Sequence, residues 1–138
     1  MTSRVKDKVG GVNPQTLDIL KREITRLLKR DKVYRYNDYS IGQMAEQLNI
    51  NKRYVSLTIR HCFNTNFTTL LNVYRIKEAE RMLTRYCLAD VNIEDVAIAS
   101  GFKTRQSFYN YFKKLMGVNP TQFLEKARAD RLARMDAR

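Results

Sequence analysis

Apolar side chains recur along this chain at helical intervals. Leu17, Leu20, Ile24, Leu27 and Leu28 fall on one face of a predicted first helix, about 14–30. Asn13-Pro14 supplies its start, with Asn as N-cap and Pro at the first helical position, where a missing N–H costs nothing. Lys29, Arg30 and Lys32 stand near its far end, where cations suit the helix dipole. Ser40 with Gln43 has the form of a capping box and predicts a short helix to about Leu48. Asn49 takes the following turn, Asn51 caps a helix of about 52–63, and Asn64 ends it. Phe67, Leu70, Leu71, Tyr74, Ala79, Met82, Leu83 and Tyr86 form the stripe of one long linker helix, about 67–86. Asn92 caps a helix of about 93–100, Gly101 takes the turn, and a helix of about 104–115 stops at Gly117. Asn119-Pro120 opens a final helix, whose charged tail from Ala127 to Arg138 is expected to fray.

Two stretches carry the same apolar pattern. Ile41, Met44, Ala45, Asn49 and Ile50 match Ile93, Val96, Ala97, Gly101 and Phe102 at an offset of 52. Val55, Ile59, Phe63 and Asn64 then match Phe108, Phe112, Met116 and Gly117 at an offset of 53. One residue inserted at a turn is what two copies of a small helix-turn-helix unit should show. The predicted fold is therefore all-α, with about seven helices and two helix-turn-helix units joined by the linker helix. Residues 13–66 hold the first helix and first unit, 67–86 the linker helix, 87–126 the second unit and 127–138 a charged tail. Residues 1–12 are polar, contain Gly10-Gly11 and read as a linker or cut end.

Charge narrows the partners. The chain has 138 residues, 43% of them hydrophobic, which is enough for one ordinary domain or two small ones. Its formal net charge of +12 favours nucleic acid first and an anionic membrane second. The cations are not evenly diluted by acids. Between Glu46 and Glu78 there is no Asp or Glu, and between Asp95 and Glu125 there is none either. A surface facing a polyanion would exclude carboxylates at those places. Cys62 and Cys87 lack any ligand spacing and read as reduced, buried thiols of a cytoplasmic protein. No apolar run approaches the roughly 18 residues of a membrane span.

On these residues the chain resembles the DNA-binding domain of AraC/XylS-type transcriptional regulators. The second copy carries the more specific likeness: Ile93-Glu94-Asp95-Val96-Ala97, then Gly101-Phe102, Phe108, Phe112-Lys113-Lys114, Gly117-Val118 and Pro120. Tyr74-Arg75-Ile76, Ala79 and Leu83 fit the linker helix. The resemblance spans about residues 40–125. It implies two units reading adjacent major grooves of double-stranded DNA, in the output module of a longer regulator that carries a sensing domain. RNA polymerase is a further candidate partner, and the chain alone is expected to be monomeric.

In a helix-turn-helix the second helix presents its N-terminal residues to base edges. With Val55 and Ile59 inward, the first copy offers Arg53, Ser56 and Leu57 to bases. Arg53 suits guanine O6 and N7, and Leu57 suits a thymine methyl. With Phe108 and Phe112 inward, the second copy offers Arg105, Gln106, Tyr109 and Asn110. Arg105 suits guanine, and Gln106 or Asn110 suits adenine. Phosphate contacts are expected from Lys52, Arg60, Lys103, Thr104, Lys113 and Lys114, with the helix starts at Ser40 and Thr121 adding backbone N–H donors. Arg75 is expected to pair with Glu78 along the linker helix. No cofactor or metal is expected. A nuclease is disfavoured because two-metal chemistry needs carboxylates beside the phosphate, and the acid-free segments lack them. The remaining alternative is a non-specific basic nucleic-acid binder, which shares the charge but has no need of a duplicated reading unit.

Overall fold

Side-chain caps decide where most of the helices begin. A computed structural model describes residues 13–137; the linker expected at 1–12 lies outside them. Among the described residues there are seven α-helices and no strand: α1 Pro14–Lys29, α2 Ile41–Leu48, α3 Lys52–Phe63, α4 Phe67–Arg85, α5 Ile93–Ser100, α6 Arg105–Met116 and α7 Pro120–Asp136. Asn13, Ser40, Asn51, Asn92, Thr104 and Asn119 each accept a backbone N–H of the first turn through the side chain. Asn66 does the same for α4, its Oδ1 accepting from Thr69 N at 2.8 Å. The capping box at Ser40 is complete, because Gln43 Oε1 also accepts from Ser40 N at 2.8 Å. α6 starts one residue later than the spacing predicts, because Thr104 is its cap and not its first turn.

Packing divides the chain into two units. The first holds the described residues up to Val33 together with Asp38–Leu71. Here α1 and α2 both pack on α3. Leu17, Leu20, Ile24, Leu27, Leu28, Met44, Val55 and Ile59 are buried. Each fully buried Leu or Ile stabilises the unit by roughly 1.5–3 kcal/mol relative to leaving it exposed. Thr58 is also fully buried, and its hydroxyl donates to Tyr54 O at 2.8 Å, so the polar atom is satisfied within its own helix. The Tyr39 hydroxyl donates to Gln47 Oε1, and burial pushes its phenol pKa up to about 12.

The second unit holds Tyr34–Asn37 and the described residues from Asn72 onward. Its core is Ile76, Ala79, Leu83, Cys87, Val96, Ala97, Phe102, Phe108, Phe112 and Leu124. Phe102, Phe108, Phe112 and Phe123 stack in tilted or edge-on pairs with centroids 5.3–5.6 Å apart. The segment Tyr34–Asn37 is held on this core by α4. Arg75 is buried; its Nε donates to Tyr34 O at 2.7 Å, Nη2 to Tyr36 O at 3.1 Å and Nη1 to Asn72 Oδ1 at 2.9 Å. The expected Arg75–Glu78 pair therefore does not form. Arg75 is spent on carbonyls that would otherwise lack a donor, and buried Glu78 pairs instead with Arg35 and Arg81. Burial works to raise the Glu78 pKa, but the hydrogen bonds from Arg35 and Arg81 outweigh it and hold the carboxyl below its usual range.

Two further expectations change. The tail from Ala127 does not fray among the described residues: α7 continues to Asp136. Arg128 donates to Cys87 O at 2.6 Å and Ala89 O at 3.3 Å, and Arg131 to Thr84 O at 3.2 Å. These carbonyls lie at or just past the end of α4, where backbone acceptors have no helical partner. Cys87 is buried as expected, but Cys62 is only half-buried, and burial still pushes its thiol pKa up.

Candidate nucleic-acid interface

Each unit presents one helix after a left-handed turn. In the first unit the turn residue is Asn49, at φ 56° and ψ 43°. In the second it is Gly101, at φ 108° and ψ 7°. A Cβ at Gly101 would collide with the carbonyl oxygen of Tyr34, so glycine is required there by space as well as by φ. Each turn delivers a helix whose inward face is fully buried, through Val55 and Ile59 in α3 and Phe108 and Phe112 in α6. Inward anchoring leaves the opposite face open. Lys52, Arg53, Ser56 and Arg60 are exposed on α3, with Leu57 half-buried. Arg105, Gln106, Asn110, Lys113 and Lys114 are exposed on α6, with Tyr109 half-buried. Lys103, Thr104, Ser40 and Thr121 are exposed at helix starts.

The two faces differ in how their cations are held. Arg53 has no salt bridge or side-chain hydrogen bond among the described residues. Arg105 is engaged on two sides: Nη1 lies 3.2 Å from Glu94 Oε1, and Nη2 donates to Tyr109 Oη at 3.3 Å. The guanidinium also sits over the Tyr109 ring, 4.8 Å from its centroid. Tyr109 Oη in turn shares a hydrogen bond of 3.2 Å with Thr121 Oγ1. The Tyr109 hydrogen bond, then Glu94, raise the Arg105 pKa, so the side chain is cationic at any working pH. Lys114 Nζ stands 5.7 Å from the Tyr111 ring. The hydroxyl oxygens of Ser40 and Thr104 accept the cap hydrogen bonds of α2 and α6 from Gln43 N and Ser107 N, which leaves their O–H groups and the remaining first-turn backbone N–H groups as donors at those sites.

Four of the candidate and neighbouring side chains, Glu94, Arg105, Tyr109 and Thr121, are thus brought together from α5, α6 and α7. Gln106 and Asn110 are exposed on the same helix. Glu94 escaped the sequence reading. The signal for it was an acid at the second position of α5, followed by an arginine at the first position of α6.

A helix-turn-helix domain family model matches residues 44–126, well over half of the chain. The chain belongs to the AraC-type helix-turn-helix family. It is a DNA-binding transcriptional regulator domain and not an enzyme. The melibiose operon regulatory protein of Escherichia coli (strain K12) is 25% identical over 84 residues, covering 61% of this chain and 27% of that protein. The uncharacterized regulator YtdP of Bacillus subtilis (strain 168) is 25% identical over 93 residues, covering 67% of this chain and 12% of that one. The chain thus spans about a quarter or less of the length of these relatives. The C-terminal domain of AraT, a response regulator from Geobacillus stearothermophilus, superposes with a TM-score of 0.67 at 28% identity, over 78% of this chain and 84% of that one. Among the described residues no helix is long and apolar enough to cross a membrane.

Proposed function

We propose that this family member is a sequence-specific binder of double-stranded DNA, with α3 and α6 as recognition helices in adjacent major grooves. The observation that carries the reading is the repeated face. Two helices, each set by a left-handed turn and anchored by buried side chains, expose cations and amides on stretches without a carboxylate. Arg53, Ser56 and Leu57 on one helix, and Arg105, Gln106, Tyr109 and Asn110 on the other, are the proposed base contacts. Lys52, Arg60, Lys103, Lys113 and Lys114, with the helix starts at Ser40, Thr104 and Thr121, are the proposed phosphate contacts.

A sensing domain elsewhere in a longer parent chain is proposed from the short share of its relatives that this chain covers. RNA polymerase is a further proposed partner, and the chain alone is proposed to be monomeric. Selection of bound duplexes from a random pool tests the reading. Enrichment of a defined site that survives excess random DNA supports it. Binding that random DNA competes away equally supports the charge-only alternative.

A further inference from the structure

We propose that Glu94 is a specificity-determining residue of the second unit: its carboxylate occupies the Arg105 guanidinium in the free protein and yields it only to a base edge that offers equivalent acceptors. The inference rests on the DNA-binding reading above and deepens it.

The two copies provide an internal comparison. Asn51 and Thr104 are both N-caps, so Lys52 and Arg105 both hold the first position of their recognition helices. Ile41 and Ile93 both open the preceding helix, so Gly42 and Glu94 both hold its second position. In the second unit these positions touch through the ion pair at 3.2 Å. In the first unit they touch as well: a Cβ on Gly42 would stand 3.2 Å from Lys52 Cε and 3.7 Å from its Nζ. The same geometry therefore carries a carboxylate in one copy and nothing in the other.

The chemistry of the pair suits selection more than stability. Both side chains are mostly exposed, 62% for Arg105 and 59% for Glu94, so water and salt reach the contact and it opens readily. An arginine without such a partner is attracted to any phosphate. One whose charge is cancelled gains little from a random backbone. Guanine O6 and N7 present two acceptors to the guanidinium fork and can replace the carboxylate in kind. The Tyr109 ring beneath keeps the guanidinium in place while its outer partner changes. Specificity of this sort comes from penalising the wrong partner.

Glu94→Gln keeps the shape and removes the charge. The whole chain is titrated with its selected duplex and with a random-sequence duplex over a series of KCl concentrations. The variant is expected to bind the random duplex about three- to tenfold more tightly, with a salt dependence steeper by up to about one unit of log–log slope. The gain on the selected site is expected to be smaller, so the ratio between the two falls. In an Arg105→Ala background the Glu94→Gln effect is expected to vanish. Conversely, Gly42→Glu should weaken random-duplex binding, and Lys52→Ala should abolish that effect. An equal gain on both duplexes, or a gain that persists without Arg105, overturns the proposal, because Glu94 would then act as a plain charge. If the wild-type chain prefers its selected site and Glu94→Gln changes nothing, the inference alone fails. If the wild-type chain prefers no site, the parent reading fails with it.

Discussion

In the first unit the turn before α3 is made by Asn49, whose side chain is exposed. In the second unit the same turn is made by Gly101, which is buried beneath Tyr34 and Arg75. The backbone task is shared, because both residues sit at positive φ. The packing task is not. The second turn lies under the segment Tyr34–Asn37, and that segment is stitched down by Arg75 and Glu78. The cations differ in the same sense: among the described residues Arg53 has no charged or hydrogen-bonding partner in one unit, whereas Arg105 is tied to Glu94 and Tyr109 in the other. A repeated fold can thus place a tolerant, open copy of the turn and helix and a packed, restrained one in the same chain.

Breaking the turns should show the difference most strongly. Gly101→Ala puts a Cβ against a backbone oxygen and is expected to destabilise the protein by about 3 kcal/mol or more in urea unfolding. Asn49→Gly removes no packing and is expected to stay within about 1 kcal/mol. Equal costs at the two turns would dissolve the contrast.

Glu78→Gln tests the stitching. Losing one partner of a buried, charge-assisted contact is expected to cost about 1–3 kcal/mol. The pH dependence follows from the lowered carboxyl pKa. In the wild type this contribution is fully present above the ordinary carboxylate range, about 4.3 for Glu. It is lost as pH falls through the lower folded value. The glutamine variant should lack that acid-side loss, as unfolding measured at pH 7 and again at about pH 3 would show.

Arg53→Ala and Arg105→Ala sharpen the comparison at the proposed base-contacting faces. Arg53→Ala is expected to weaken selected-site binding between about fivefold and a hundredfold and to relax base preference at one position. Arg105→Ala should relax another position at a smaller cost, because wild-type Arg105 must first leave Glu94. The smallest effect is expected from Lys113→Ala. It should weaken all sequences alike and flatten the salt slope by about one unit. Titrations on selected and random duplexes read both.

Much of the fold was legible because its signals are local. A cap and its helix lie within three residues of each other, so Asn13, Ser40, Asn51, Asn92 and Asn119 announced five helix starts. The repeat announced the architecture, and the buried faces of α1, α3 and α6 followed from period, whereas α4 buries Asn72, Arg75 and Glu78, and Tyr86 of its expected stripe is exposed. What stayed hidden depends on partners far apart in sequence. Arg75 meets carbonyls 41 and 39 residues away, and nothing near it in the chain points to them. The persistence of α7 past Ala127 depends on Arg128 and Arg131 reaching carbonyls around the end of α4, while Leu132 and Met135 stay exposed and give no apolar stripe. At the candidate site, exposure of the cations and amides on α3 and α6 could be read from helical period. The restraint on Arg105 could not, because Glu94 stands 11 positions away, near the far end of the preceding helix.

The central claim is best tested by protection mapping of the selected duplex bound by the wild-type chain and by Arg53→Ala. The wild type should protect two major-groove segments about one helical turn, roughly 10 base pairs, apart. Arg53→Ala should weaken protection in one of them and leave the other in place. A single protected patch of a few base pairs, or uniform protection that random DNA removes, would contradict two independent reading helices.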